Sequence, residues 1–260
     1  MAGGNKKIAL GKRLRSSPSF ECVGALPNWQ DYSDSAQEAI RRADKIYYPT
    51  CLYEDLFVSL GKTVFPTNFH PLMGNKIAQT AMFQLLGISH PRTRVYYGRN
   101  RLERILEDFA FPFVVKTPVG SSKGSGVWLA RTESDLRDYL LKHRPAYVQQ
   151  YLPIDRDLRV VLIAGQVVHA YWRIQKPGDF RNNVACGAHI SYRNIPPQAL
   201  EFAADVAKQC HFGEVGLDIC ICEGTCYVIE ANMVYGLEGF RRSGRDIYSI
   251  LAELGEKDLL

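Results

Sequence analysis

Residues 216–232, GLDICICEGTCYVIEAN, decide the fold of this chain because they predict a β-hairpin that carries polar side chains. A three-residue loop at 223–225 would set Asp218 opposite Glu230, and Asn232 shares their face because side chains alternate along a strand. Directly opposed carboxylates destabilise a strand pair. A hard divalent cation such as Mg²⁺, which prefers carboxylate and amide oxygens, would neutralise them. The alternative is a polar exposed face or a shifted register, in which the pair does not meet.

The cysteines of this hairpin predict packing rather than metal binding. The same register places Cys222 opposite Cys226, with Cys220 on their face. A zinc site needs about four soft ligands at an established spacing, and no CxxC or HxxxH pattern accompanies these thiols. The chain has 7 cysteines in all, an odd and scattered set, which favours reduced thiols in a cytoplasmic protein.

A glycine-rich loop, GSSKGSG at 120–126, follows a strand that ends in Lys116. Glycines let backbone N–H groups wrap an anion, and serine hydroxyls add donors. The loop matches neither a Walker A sequence nor a Rossmann fingerprint, because a strand rather than a helix follows it. Lys116 lies in the apolar run FVVK, where burying a lysine is costly unless it meets an anion. An ordinary hairpin turn is the alternative.

A third group of charged residues lies between positions 148 and 183. It contains the run VQQYLP at 148–153, then Asp157 and Arg159, then Arg173, and finally GDFRNN at 178–183. Arginines within strands supply fixed positive charge suited to an oxyanion or a transferring phosphoryl group. Structural ion pairs are the alternative explanation.

The periodicity of the chain predicts two unequal units, a small α/β unit over residues 1–72 and a larger α+β unit over 73–260. Besides the hairpin, the predicted strands are residues 7–10, 21–26, 45–48, 63–65, 93–97, 113–116, 127–130, 147–151, 158–163 and 166–173. The predicted helices are residues 33–43, 53–60, 75–86, 102–108 and 197–210, with one more opened by a capping box at Thr132 and Asp135.

Composition excludes several classes of protein. With 260 residues, 46% of them hydrophobic, the chain is long enough to bury a sizeable core. A formal net charge of +5 suits an anionic substrate but falls short of a dedicated nucleic-acid binder, so we expect no DNA partner. The longest apolar stretch is too short for a membrane span, and the N-terminus lacks a secretory apolar region. We therefore expect a cytoplasmic protein without a membrane partner.

The order of these motifs resembles that of the ATP-grasp superfamily, and most closely its RimK-type branch of glutamate-adding ligases. The resemblance runs from about residue 75 to residue 250. The motifs that carry it are FVVK at 113–116, GDFRNN at 178–183, GLDI at 216–219, VIEAN at 228–232 and GLEG at 236–239. It implies an ATP-grasp fold, in which two α+β lobes grip ATP, preceded by a shortened α/β domain. The small lobe would span about residues 88–150 and the large lobe about residues 151–260.

The resemblance also implies roles for individual residues. Those implied to contact ATP are Lys76, Lys116, Gly120, Ser121, Ser122, Gly124, Gln150, Tyr151, Leu152, Asp157, Arg181, Asn182 and Asn183. Among them, residues 150–152 resemble the hinge that meets adenine, and Asp157 resembles the residue that holds the ribose. Asp218, Glu230 and Asn232 match the magnesium ligands, with Mn²⁺ as the alternative ion. Arg173 is the candidate for stabilising the charge of acyl transfer, together with Lys116.

The function implied is that of an ADP-forming carboxylate–amine ligase that acts through an acylphosphate. It would join an amino acid, glutamate being the first candidate, to a small molecule or a protein terminus, and a homo-oligomer is one of the assemblies allowed. A non-catalytic ATP-binding regulator is the alternative, and an RNA-associated module is the weakest one.

The sequence departs from the family pattern at several positions. Gln150 stands where relatives carry an acid, and Met233-Val234-Tyr235 replaces a small residue and a proline. The loop after residue 183 has one glycine fewer, and the N-terminal unit is short. We therefore expect the specificity for the amine or the acid to differ.

Overall fold

The computed structural model describes residues 6–120, 126–176 and 187–260, and they form three sheets. The first sheet is parallel, in the order β2-β1-β3-β4, and lies in the N-terminal unit. Its strands are β1 (Lys7–Ala9), β2 (Phe20–Cys22), β3 (Lys45–Tyr47) and β4 (Thr63–Phe65), joined by the helices α1 (Asp34–Arg42) and α2 (Glu54–Ser59). The predicted second strand is wrong beyond Cys22, because Gly24 turns the chain with φ +89°.

The second sheet is antiparallel, in the order β5-β8-β6-β7. It consists of β5 (Thr93–Tyr96), β6 (Phe113–Lys116), β7 (Val127–Ala130) and β8 (Ala146–Gln150), with the helices α3 (Lys76–Leu85), α4 (Arg101–Asp108) and α5 (Glu133–Lys142). The predicted capping box is confirmed, since Thr132 accepts from the Asp135 amide and Asp135 from the Thr132 amide. Aromatic and aliphatic side chains of α4, α5 and the strands fill the core of this unit.

The third sheet is also antiparallel, in the order β11-β10-β9-β12-β13. Its strands are β9 (Arg156–Ile163), β10 (Gln166–Ile174), β11 (His189–Ser191), β12 (Glu214–Cys222) and β13 (Thr225–Asn232). The helix α6 (Pro197–Gln209) covers one face and shares its core. Two helices, α7 (Glu238–Arg242) and α8 (Ile247–Glu256), follow the last strand.

The last helix returns to the N-terminal unit. Leu251 and Leu254 share a core cluster with Phe20 and Tyr47, and a Cβ on Gly255 would lie 2.5 Å from the ring of Phe20. The boundary between the two units at residue 72 stays a prediction. The core cluster contains residues that precede this position and residues that follow it.

The decisive hairpin has a shorter turn than predicted. Its loop contains two residues, Glu223 and Gly224, with φ of 50° and 78°, the positive values that suit a type I′ turn. A register shift between the Asp218 and Ile219 pairs then restores the predicted pairing of Asp218 with Glu230.

The predicted pairing of Cys222 with Cys226 is wrong. Cys222 pairs with Thr225, and Cys226 pairs with Ile221, because the register shift lies farther from the turn than the cysteines do.

Within the described ranges, no helix combines the length and hydropathy that a membrane crossing needs.

Candidate functional site

A lysine at the start of α3 contacts one carboxylate of the hairpin. Lys76 is the first residue of α3, and its Nζ lies 2.8 Å from Oε1 of Glu230 on β13. The chain before α3 also contacts the segment after β6, since the Lys76 amide donates to the Pro118 carbonyl at 3.0 Å and the Gly120 amide donates to the Gly74 carbonyl at 3.1 Å. The start of the glycine-rich loop is thereby held beside Lys76.

The position of helix α3 is fixed by a glutamine, Gln79. We did not single out this residue from the sequence. Gln79 lies one turn after Lys76 and is buried. Its Nε2 donates to the carbonyls of Leu72 at 2.8 Å and Ala231 at 2.7 Å, and its Oε1 accepts from the Ala231 amide at 3.1 Å. Since Ala231 lies between Glu230 and Asn232, Gln79 ties α3 to the strand that carries both candidate metal ligands.

Lys116 lies at the end of β6 and only 4% of it is exposed. Burial lowers the pKa of Lys116 to about 8, while Glu230 opposes that change and Lys76 adds to it. A buried ammonium group is costly unless an anion accompanies it. The surroundings of Lys116 therefore suit an anionic ligand.

Two arginines and two aspartates form a buried ion-pair network on the large sheet. Arg173 contacts Asp157 through two bonds of 2.6 and 2.8 Å, and its Nη2 lies 2.9 Å from Oδ2 of Asp218. Arg159 donates to Oδ1 of Asp218 at 2.5 Å. Burial raises the pKa of Asp218, but Arg159 and Arg173 lower it by more than burial raises it. The pKa of Asp218 is therefore below its usual value, and the carboxylate is ionised.

The predicted metal ligands lie together on the hairpin. Asp218 pairs directly with Glu230 across the two strands. Asn232 donates through Nδ2 to the Gly216 carbonyl at 3.3 Å and to Oδ2 of Asp218 at 3.2 Å. Because the amide nitrogen serves both acceptors, the amide oxygen is turned away from them.

These three side chains fit a divalent cation by their chemistry, since two carboxylates and an amide oxygen are ligands that Mg²⁺ accepts. Asp218 is held by arginines and Glu230 by Lys76. Among the described residues, no group of three or more His, Cys, Asp and Glu side chains is arranged to hold a metal. Their role as magnesium ligands stays a prediction.

The predicted hinge begins at the last residue of β8, an inner strand of the second sheet. The Gln150 amide donates to the Arg92 carbonyl at 2.8 Å, and Gln150 and Tyr151 line a cavity of about 190 Å³. Tyr151 and Leu152 are half-buried. Their backbone groups are the ones implied to meet adenine, and that role stays a prediction.

The two acids after the hinge are placed differently. Both oxygens of Asp157, the candidate ribose ligand, accept from Arg173, and the residue is buried. Asp155 has a side chain that is 70% exposed and lines a cleft of about 480 Å³ with Pro153 and Trp172. The ribose role of Asp157 stays a prediction, and Asp155 is a second acid near the hinge.

Several predicted contacts lie outside the described residues, and all of them belong to the glycine-rich loop or the GDFRNN segment. They are Ser121, Ser122, Gly124, Arg181, Asn182 and Asn183. The structure does bring together Lys76, Lys116, Asp157, Arg173, Asp218, Glu230 and Asn232. The sequence analysis named Arg159 but could not identify its ion-pair partner. The register of β9 against β12 places Arg159 opposite Asp218 and so identifies that partner.

Comparison with known proteins gives a consistent result. A family model described as a RimK-like ATP-grasp domain matches residues 73–254. A probable alpha-L-glutamate ligase 2 of Pseudoalteromonas atlantica is 29% identical over 187 residues, which cover 69% of this chain and 62% of that protein. Beta-citrylglutamate synthase B of Danio rerio is 29% identical over 182 residues, which cover 64% of this chain and 44% of that protein. The chain thus spans less than two thirds of the length of these curated relatives.

Solved structures agree on the architecture. The ATP-grasp ligase PsnB, in complex with the precursor peptide PsnA2 and AMPPNP, superposes with a TM-score of 0.69 at 15% identity, covering 98% of this chain and 99% of that one. At this identity the likeness shows the fold alone, and it confirms the predicted α+β ATP-grasp fold. Because the family model matches most of the sequence, the chain belongs to the RimK-like ATP-grasp family.

Proposed function

We propose that this protein is an ATP-dependent, ADP-forming ligase that joins a carboxylate to an amine through an acylphosphate. The observation that carries the proposal is the meeting of Lys76 with Glu230 beside the buried Lys116. Two ammonium groups and one carboxylate leave an excess of positive charge, which suits a bound triphosphate. The names of the relatives favour an amino-acid amine, with glutamate as the first to test.

The proposed reaction balances in two steps. A substrate carboxylate oxygen attacks the γ-phosphorus of ATP, the bond to the β-phosphate oxygen breaks, and ADP leaves. An amine nitrogen then attacks the acyl carbon, inorganic phosphate leaves, and the nitrogen loses a proton as the amide forms. The protein acts mainly by positioning the groups and by electrostatics, as in other phosphoryl transfers.

Each charged residue has a proposed part in these steps. Lys76 and Lys116 bind phosphate oxygens and offset the charge on the transferring group. Arg173, held rigidly by Asp157 and Asp218, faces the charge that develops during acyl transfer. Asp218, Glu230 and Asn232 would hold Mg²⁺, which would neutralise charge on the phosphate oxygens.

The test begins with the thermal stability of the wild-type protein, because a ligand that binds the native state raises its apparent stability. We expect ATP with Mg²⁺ to raise Tm and a screen of amino acids with acidic acceptors to detect ADP release. Nucleotide binding without ADP release in any combination would instead support a regulatory protein. Absence of nucleotide binding would refute both functions.

The variant Glu230→Gln tests the carboxylate directly. We expect it to abolish magnesium-dependent turnover while its circular dichroism spectrum stays native. Glu223→Gln is the matched control, since Glu223 lies in the turn of the same hairpin and is exposed. Wild-type rates in Glu230→Gln would remove this residue from the mechanism.

A further inference from the structure

A further buried carboxylate, that of Glu214, begins β12 at the junction with the N-terminal unit. Its side chain is 0% exposed and lies 2.9 Å from Nη1 of Arg13. The hydroxyls of Tyr48 and Tyr235 each donate to one of its oxygens at 2.6 Å. The partners come from three separate segments, so the carboxylate joins the segment after β1, the residue that follows β3 and the segment that follows β13.

The geometry of this cluster is strongly specified. The guanidinium of Arg13 lies 5.5 Å from the ring centre of Tyr48 and 5.8 Å from that of Tyr235. Tyr48 has φ 47°, a conformation that is costly for a bulky residue. A Cβ at Gly11 would lie 2.8 Å from the Cβ of Tyr48, so a glycine is needed there. Burial and the nearby Glu214 raise the pKa of both tyrosines, which keeps them protonated as donors.

Tyr235 connects this cluster to the candidate metal ligands. A Cβ at Gly216 would lie 3.0 Å from the Cβ of Tyr235 and 3.1 Å from its ring, so the tyrosine packs directly on the Gly216 backbone. Gly216 is the strand partner of Asn232, and its carbonyl accepts from Nδ2 of the Asn232 side chain at 3.3 Å. The contact therefore runs from Glu214 through Tyr235 and Gly216 to Asn232.

We propose that Tyr235, anchored by Glu214 and Arg13, is a positioning residue that sets the orientation of the Asn232 side chain for metal binding. Arg13 thereby gives the N-terminal unit a part in the site. This inference rests on the proposed function in one respect, since it assumes that Asn232 is a metal ligand. The network itself is a property of the chain without ligands.

The test compares two variants that each remove one hydroxyl from the same carboxylate. Tyr235→Phe and Tyr48→Phe both delete a donor at 2.6 Å from Glu214, but only Tyr235 packs on Gly216. Both variants should lower Tm. Only Tyr235→Phe should raise the Mg²⁺ concentration for half-maximal ADP release, by about 10-fold, with kcat recovering at saturating Mg²⁺.

Hydrogen exchange of the ligand-free protein provides a readout that does not depend on activity. We expect faster exchange in residues 216–217 and 231–237 of Tyr235→Phe than in the same residues of Tyr48→Phe, because only the first variant alters the side chain that packs on Gly216. Equal effects of the two variants in these segments, or wild-type exchange in Tyr235→Phe, would overturn the inference. If the wild-type protein failed to bind nucleotide, the proposed function would fail, and the exchange comparison would still decide whether Tyr235 orders this segment.

Discussion

Replacing Arg173 by methionine should destabilise the protein far more than the loss of an ordinary ion pair. Arg173 is buried and lies 2.6 Å from Asp157 and 2.9 Å from Asp218. Methionine keeps much of the side-chain volume, so the change removes charge rather than packing. Asp218 keeps Arg159 at 2.5 Å, whereas Asp157 loses its bidentate partner.

The size of the effect follows from this uncompensated carboxylate. Removing one partner of a buried ion pair costs about 3–5 kcal/mol. At about 2–4 °C per kcal/mol for a chain of this size, we expect Tm to fall by about 6–20 °C. The same change at Arg137, whose side chain is 60% exposed and pairs with Glu133 along a helix, should cost only about 0.3–0.5 kcal/mol.

The loss should also depend on pH in a definite direction. Burial raises the pKa of Asp157, and Arg173 opposes that rise. Without Arg173 the native state holds the proton more tightly than the unfolded state does, so stability falls as pH rises through the native pKa. The deficit of Arg173→Met against wild type is therefore smaller at about pH 5 than at about pH 8.

The assay is thermal unfolding, followed by circular dichroism, of wild type, Arg173→Met, Arg137→Met and the double variant Arg173→Met/Asp157→Asn. The double variant should regain part of the lost stability, because it removes the carboxylate that has lost its partner. If Arg173→Met lost no more stability than Arg137→Met, or if its deficit grew as pH fell, the account of the buried network would be refuted.

Two further substitutions test other parts of the site. Lys116→Met should stabilise the nucleotide-free protein at neutral pH by up to about 3 kcal/mol, since the pKa of Lys116 is about 8 instead of its usual 10.5. Between about pH 8 and 10.5 the unfolded state binds more protons than the native state, so the stability of the wild type rises with pH. The stability advantage of Lys116→Met over the wild type should therefore vanish across this range. An advantage that grew with pH would contradict this sign. Gly239→Ala should lower Tm, because its Cβ would lie 2.2 Å from the ring of Tyr171, whereas Gly236→Ala meets no atom within 4 Å and serves as the control. Equal Tm values for the two alanine variants would show that the ring moves aside at little cost.

Local patterns in the sequence predicted much of the fold. The capping box at Thr132 and the hairpin ending in Asn232 depend on neighbouring residues, and such short-range preferences are legible without coordinates. The pairing of Asp218 with Glu230 was predicted correctly, although the predicted loop was one residue longer than the observed one. The register shift beside Asp218 compensated for that error.

Other features depended on residues that are distant in the chain. The sequence showed that Gln79 lies on a helix, but not that it bonds the backbone around Ala231. The sequence also contained Glu214 and Tyr235, and nothing near either of them indicated that both contact Arg13.

By itself the sequence determined the family, the order of the elements and which residue types were available for phosphate and metal binding. These follow from periodicity and motif spacing, which act over a few residues. Only the tertiary structure decided that Arg173 binds two aspartates and that Lys76 reaches Glu230. The choice among competing charged partners depends on sheet register and on burial, where an unpaired charge is too costly to persist, and both are properties of the assembled fold.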